Sequence, residues 1–352
     1  MQERIGLKIN LITMRMSNHA SHSGYDRLID YMNADSVFGL EDLSLFSRAL
    51  SKGLKPVIDR ADLRWYHRDN FIAEFEAGKR WLMGRRQVFH YLYGENSYRY
   101  LGNLKPFGPK NSIICTYHTP PERFCQVVTT EKHLNKVDAI VTMSRMQNDF
   151  FSKYVGADRT FFVPHGIDVD YFKPRSSLKE KDGRITCLFV GSHMRDVETL
   201  VEASILLKKW NEKIDIIAVT ALRNKQAIEK SNNIILRMGV SDEELLDLYQ
   251  QSDMLLLPLL GATANNSLLE ALACGLPVIS TELEGVKDYV NEMSALLVGK
   301  QDSKALAEAV IQLADDEVLR KNMSIACRDQ AMKFRWERIT DQMREIYQLV
   351  QN

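Results

Sequence analysis

The chain has no excess of either charge: 46 Lys plus Arg stand against 46 Asp plus Glu in 352 residues. A balanced chain offers no global field to a polyanion, so nucleic acid is not an expected partner and any basic surface has to be local. Cysteine is also sparse. The five thiols, Cys115, Cys125, Cys187, Cys274 and Cys327, fall at no paired spacing, which argues against a disulfide framework, and three of them lie in apolar segments that read as core. A reducing cytoplasm is the simple expectation. No apolar run reaches membrane-spanning length, and the start MQERIGLKIN has no apolar signal-peptide core. A soluble cytoplasmic protein is expected, with peripheral contact at the inner face of a membrane left open. No Cys/His spacing is of the zinc type and no Asp-x-Asp pair is read as a divalent-ion site, so no metal is expected. Internal repeats and low-complexity segments are missing too.

What is present is an alternation. From about Lys8 onward, short apolar runs alternate with amphipathic segments, the pattern of α/β layers on a mainly parallel sheet. ITCLFVG (185–191), IDIIAVT (214–220), NIILRMG (233–239), MLLLPLL (254–260), PVIST (277–281) and ALLVG (295–299) read as strands. VETLVEASILLKKW, SDEELLDLYQQS with its Ser-x-x-Glu capping box, and DSKALAEAVIQLADD read as helices between or after them. In the first half LKINLIT, SIICTYH, DAIVTMS and TFFVPHG are the clearest strands, and residues 34–100 resist parsing. The length suits two domains, each with its own core. The charged stretch Asp168 to Arg184, with Pro174, reads as the linker, and the boundary is placed near Phe172. FRWERITDQMREIYQLV closes the sequence as an amphipathic helix carrying Trp336, Ile339, Met343, Ile346 and Tyr347 at helical spacing.

The most informative stretch runs from Ser252 to Thr281. An apolar strand ending at Gly261 leads through a polar loop into LLEALACG, a helix stopped by Gly275 and Pro277. Asn265, Asn266 and Ser267 are good N-cap types, so the first-turn N–H groups, through Leu268, together with the positive end of the helix dipole form a site for a phosphate or diphosphate. Glu270 lies about one turn in, within reach of the hydroxyls of a ribose attached to that diphosphate.

Glu270, Ala271, Ala273, Gly275, Pro277 and Val278 resemble the second half of the donor-site signature of the retaining glycosyltransferases of family 4. The first glutamate of that signature is replaced by Ala262. The resemblance implies the GT-B fold, two Rossmann-like domains facing across a cleft: an acceptor-side domain over 1–171, a donor-binding domain over 172–335, and a C-terminal helix over 336–352 that returns to the first domain. It implies that Glu270 binds the nucleotide ribose and that the missing carboxylate would have touched the donor sugar. After ITCLFVG, the loop from Gly191 to Asp196 carries Arg195, which the resemblance aligns with a diphosphate-binding lysine; an ordinary solvated arginine at a helix start explains it as well. Met238 and Gly239 fall where the family holds the nucleobase by backbone groups, although a plain strand-to-helix turn accounts for them equally. Gly24, between the first strand and a helix, corresponds to a loop that approaches the donor phosphates. His118 ends SIICTYH at the carboxyl edge of the sheet and matches a histidine that bonds the donor sugar, the alternative being a core histidine. Glu95 in HYLYGEN corresponds to an acceptor-side element or to a polar turn. Gly166 and Asp168 match an interdomain element in which His165 replaces an asparagine.

The implied activity is transfer of a sugar, with retention, from a nucleoside diphosphate sugar to an acceptor hydroxyl in glycan, polysaccharide or glycoconjugate biosynthesis. The expected partners are the donor and a glycan, lipid-linked or small-molecule acceptor, with no cofactor beyond the donor itself and Arg195, Glu270 and His118 as the central residues. Two alternatives stand beside it: a GT-B-like nucleotide-binding or structural protein that has lost catalysis, suggested by Ala262, His165 and the short Arg195 loop, and a phosphorylase or nucleotide-sugar hydrolase. The basic and aromatic runs WYHRDNF (65–71) and KRWLMGRR (79–86) fit a membrane surface or a bulky acceptor, and amphipathic core helices fit them too.

Overall fold

A computed structural model describes residues 7–14, 21–39, 53–108, 110–175 and 183–351. Residues 176–182 of the expected linker, and residue 20 of the loop before Gly24, lie outside them. The chain divides into two compact units: Met1–His19, Gly24–His165 and Trp336–Asn352 make the first, and Ala20–Ser23 with Gly166–Arg335 the second.

The first unit is built on six parallel strands, β1 (Lys8–Ile12), β2 (Ser36–Phe38), β3 (Gln87–Tyr91), β4 (Ser112–Tyr117), β5 (Ala139–Thr142) and β6 (Thr160–Phe162), in the order β2-β1-β3-β4-β5-β6. The unparsed region supplied β2 and β3 and a long helix, α1 (Arg68–Met83). β3 is hard to read because its sequence, QVFHY, is fully buried yet carries two polar side chains. Burial is tolerated because both are bonded. The Gln87 amide donates to Arg80 O at 3.2 Å, and His90 joins Thr116 Oγ1 at 2.7 Å and the Tyr347 hydroxyl at 2.6 Å. Burial drops the His90 pKa to about 3, so the ring is neutral and acts as a fixed connector.

The second unit has the parallel strands β7 (Ile185–Val190), β8 (Ile214–Val219), β9 (Ile234–Arg237), β10 (Met254–Leu257), β11 (Val278–Thr281) and β12 (Ala295–Val298), ordered β12-β11-β10-β7-β8-β9. These are the strands expected from their apolar runs. Successive residues face opposite layers: Leu188, Leu255 and Leu257 join one core, while Cys187, Phe189 and Leu256 join the other. A strand buried on both faces needs no polar residue at alternate positions, which is why the runs are continuous. The helices α2 (Val197–Trp210), α3 (Asp242–Gln251), α4 (Asn266–Ala273), α5 (Ser303–Asp315) and α6 (Glu317–Ala331) surround this sheet. The Ser241–Glu244 capping box starts α3 with both reciprocal bonds, 3.1 and 2.7 Å.

The last helix, α7 (Trp336–Gln351), belongs to the first unit. It buries Trp336, Ile339, Met343, Ile346 and Tyr347, the spacing read from the sequence. Tyr347 reaches His90, and Arg344 donates to Tyr31 O at 3.1 Å.

Candidate active site

In the second sheet the strand order reverses between β7 and β10, and open parallel sheets place ligands beyond the carboxyl ends of the strands at such a point. β7 turns at Gly191 with φ of 98°, and a Cβ added there would stand 2.6 Å from Arg195 Nη2. Glycine is therefore required by the turn and by the guanidinium lying over it. Arg195 pairs antiparallel with Leu259, which fixes its backbone. Its Nε donates to Val190 O at 2.8 Å and Nη1 to His193 O at 2.9 Å, while Nη2 donates to Ser267 Oγ at 3.0 Å and Asn265 Oδ1 at 3.3 Å. The solvated arginine considered from the sequence is not what the fold contains. Burial lowers its pKa to about 10, which leaves it charged at neutral pH.

The two side chains that Nη2 reaches mark the start of α4. Asn265 is the N-cap, with Oδ1 accepting from Leu268 N at 3.2 Å, so Leu268 contributes its N–H while its side chain is core. A fixed cation beside the positive end of a helix is unfavourable on its own; an anion shared by both removes that conflict. One turn in, Glu270 is buried, and burial raises its pKa. Its Oε2 accepts from the Tyr249 hydroxyl at 2.7 Å and its Oε1 from the Ser23 hydroxyl. Residues 21–23 thus share the second unit with three carboxylates: Ser21 N meets Asp242 Oδ2 at 2.7 Å, and His22 Nδ1 lies 3.0 Å from Asp168 Oδ2 with its ring stacked on Tyr171. Asp168 Oδ1 accepts from Asp170 N and Tyr171 N, which makes it a turn-forming group. Among the described residues no set of three His, Cys, Asp or Glu is placed to hold a metal ion.

Met238 and Gly239 lie two strands from β7, at the end of β9, with Met238 exposed and Gly239 at φ 63°. Thr220 connects this edge to the site: its N–H donates to Arg237 O at 3.2 Å and its hydroxyl to Gly191 O at 2.8 Å. Ala262 is buried, and its carbonyl oxygen comes within 2.1 Å of where a Cβ on Gly285 would stand, so only glycine fits opposite it.

In the first sheet the order reverses between β1 and β3. Gly24 precedes a short 3-10 turn with φ 103°, a conformation that favours glycine. His118 follows β4. Its Nε2 donates to Leu92 O at 2.8 Å and its ring lies between Tyr25 and Tyr93, with centroids 5.0 and 4.7 Å away. Burial lowers its pKa and favours the neutral ring. Glu95 is buried, and Oε1 accepts from His118 N at 2.9 Å and Thr119 Oγ1 at 3.0 Å. Its Oε2 has no partner among the described residues. His165, in this unit, packs edge-on to Tyr25 and beside Trp336.

Residues 184–316 match the family model described as Glycosyl transferases group 1. Over that segment the second unit is similar to the group 1 glycosyl transferases. The matched segment contains Gly191, Arg195, Asn265, Ser267 and Glu270. The chain is 23% identical over 265 residues to the D-inositol 3-phosphate glycosyltransferase of Saccharomonospora viridis, covering 68% of this chain and 61% of that protein. To the protein of the same name from Xylanimonas cellulosilytica it is 25% identical over 255 residues, 64% of this chain and 60% of the relative. The chain thus spans about three fifths of the length of these relatives. Sucrose-phosphate synthase from Thermosynechococcus elongatus superposes with a TM-score of 0.71 at 18% identity, over 98% of this chain and 99% of that one. Anabaena HepE in complex with UDP gives 0.69 at 13% identity, over 96% and 98%. The fold that the chain shares with these neighbours is GT-B. Ser23, Thr220 and Tyr249 are the site residues that the sequence did not single out. Single hydroxyls carry no spacing signal, and only the fold brings them to Glu270 and Gly191.

Proposed function

We propose that the protein is a retaining glycosyltransferase that moves a sugar from a nucleoside diphosphate sugar to an acceptor hydroxyl. The observation that carries this reading is the Arg195 guanidinium anchored on Asn265 and Ser267 at the start of α4, with buried Glu270 one turn in. The diphosphate is assigned to Arg195 and the α4 start, and the ribose to Glu270, where the Ser23 hydroxyl now donates as a ribose hydroxyl would. The likeness to HepE, solved with UDP, supports a nucleoside diphosphate as the ligand class.

As the bond between the anomeric carbon and the diphosphate oxygen breaks, the acceptor oxygen bonds to that carbon on the same face and its proton passes to the departing phosphate. No protein base is required, and the protein's contribution is charge stabilisation at the leaving oxygen. Thermal stabilisation by a panel of nucleoside diphosphates and their sugars tests the site, because a ligand bound only by the folded state raises stability by mass action. One selective nucleotide, with a larger shift for one of its sugars, is the expected outcome; no shift with any member of the panel defeats the reading.

His118 is assigned to the donor sugar near its reacting end. The fixed, neutral ring suits a polar contact whose value is realised in the transition state. His118→Ala is expected to lower kcat roughly a hundredfold while nucleotide affinity changes little. Steady-state kinetics beside nucleotide titration would show it, and transfer at the parental rate would remove His118 from the site.

A further inference from the structure

The amino-end edge of the first sheet carries features that sugar transfer does not use. α1 ends at Met83 just before β3, and a 3-10 helix, Leu101–Phe107, ends just before β4, so both termini lie opposite the strand ends that carry His118 and Glu95. They are tied together. Trp81 Nε1 donates to Leu104 O at 3.0 Å, and Asn111 Nδ2 donates to Trp81 O at 2.9 Å and to Gly84 O at 3.1 Å. On this small knob Leu82, Met83 and Phe107 are 56%, 76% and 72% exposed. Scattered apolar side chains need no explanation, but three large ones on adjoining turns form a patch. An apolar groove of about 370 Å³ continues from it, between Phe71, Phe75 and Leu82 on α1 and Tyr100 and Leu104 opposite.

The charge around the patch has one sign. Segments 79–86 and 103–111 carry six cations, Lys79, Arg80, Arg85, Arg86, Lys105 and Lys110, and no acid. Glu76 and Asp138 pair with Lys79 and Lys105, and among the described residues no acid pairs with Arg85, Arg86 or Lys110. A second copy docking through this face by a two-fold axis would set these cations against themselves. Apolar tips ringed by cations are instead complementary to a surface whose headgroups are anionic and whose interior is apolar. We propose that this edge docks on an anionic lipid bilayer, with Leu82, Met83 and Phe107 entering the headgroup region and Arg85, Arg86 and Lys110 on lipid phosphates. WYHRDNF divides: Phe71 lines the groove, whereas His67 and Arg68 line a separate pocket. The carboxyl ends of the strands lie on the opposite edge of this unit, away from the docking face.

Co-sedimentation of the whole chain with vesicles of neutral phosphatidylcholine, and with vesicles of phosphatidylcholine and phosphatidylglycerol in equal parts, tests the docking at low and high salt. Binding to the mixed vesicles only, weakened by salt, is expected. Each cation near an anionic surface is worth about fivefold, so Arg85→Glu with Arg86→Glu, which removes two cations and adds two repelled anions, should weaken binding by at least about thirtyfold. Met83→Ser with Phe107→Ser should weaken it at least about tenfold. All four side chains are exposed, and an unchanged melting temperature with an unchanged nucleotide-induced shift separates lost docking from lost folding or a failed donor site. Lys110→Glu alone supplies a milder variant if either pair misfolds. No binding to anionic vesicles at low salt overturns the proposal, as does binding that folded variants retain. A concentration-dependent dimer broken by the same substitutions, without vesicle binding, assigns the edge to a second copy and also overturns it.

Discussion

Arg195→Ala is expected to lower kcat/KM for sugar transfer by about a hundred- to a thousandfold, the range seen when one preorganised donor to a developing anion is removed. The size follows from the setting of the guanidinium. It is half-buried, its burial already lowers its pKa, and four of its hydrogen bonds go to fixed acceptors, so little reorganisation is needed when charge develops beside it. Alanine removes the cation and leaves Asn265 and Ser267 without their shared donor at the start of α4. Nucleotide affinity should fall with the rate, because a diphosphate carries part of this charge before reaction. Arg195→Lys keeps the charge but cannot span Val190 O and Ser267 together, so it should recover only part of the loss. Steady-state kinetics and nucleotide-induced thermal shifts on both variants check this. Transfer within about threefold of the parent in the alanine variant would mean that the diphosphate is bound elsewhere.

Glu74→Ala is expected to destabilise the first unit by about 3–5 kcal/mol, the largest stability effect that its bonding pattern implies. Glu74 projects from α1 into the core, fully enclosed. Its Oε1 accepts from the backbone N–H groups of Arg99, Tyr100 and Leu101 at 2.9, 2.7 and 2.9 Å, and its Oε2 from the Tyr66 hydroxyl at 2.6 Å. Those N–H groups open the 3-10 helix Leu101–Phe107, so one carboxylate anchors α1 to the segment that precedes β4. Removing it strands several buried donors at once. For a unit of this size the loss corresponds to a melting temperature lower by roughly 10 °C. Burial raises the Glu74 pKa above the ordinary carboxylate value, so the folded state holds its proton to higher pH than the unfolded chain. Its contribution is then complete below the unfolded pKa and declines as pH rises through the folded one. Against Glu74→Gln, which cannot titrate, the parent should be relatively most stable in acid, and the gap should narrow as pH rises. A gap that widens with pH would show that these four donors outweigh burial.

Much of the second unit is legible in its residues because a strand buried on both faces has no reason to interrupt its apolar run. ITCLFVG, MLLLPLL and PVIST read directly as strands, and the Ser241–Glu244 box and Asn265 announce helix starts through bonds made within a few residues. The first unit is less legible where burial is polar. QVFHY and Glu74 look like surface sequence until Thr116, Tyr347, Tyr66 and three backbone N–H groups are placed around them. Those partners come from distant parts of the chain: Tyr347 from the last helix, and Arg99 to Leu101 from a turn that local propensity does not announce.

The same division runs through the site. Residue order alone determined the parallel α/β layers, the helix that begins at Asn265 and the position of Glu270 one turn inside it, because helix periodicity and capping are local. Only the tertiary structure decided that Arg195 is a half-buried fork anchored on Asn265 and Ser267, that Ser23 and Tyr249 occupy the oxygens of Glu270, and that Leu82, Met83 and Phe107 share one cationic edge. Each of these depends on which strands become neighbours, and strand order is set by the packing of whole layers, which no short stretch of sequence encodes.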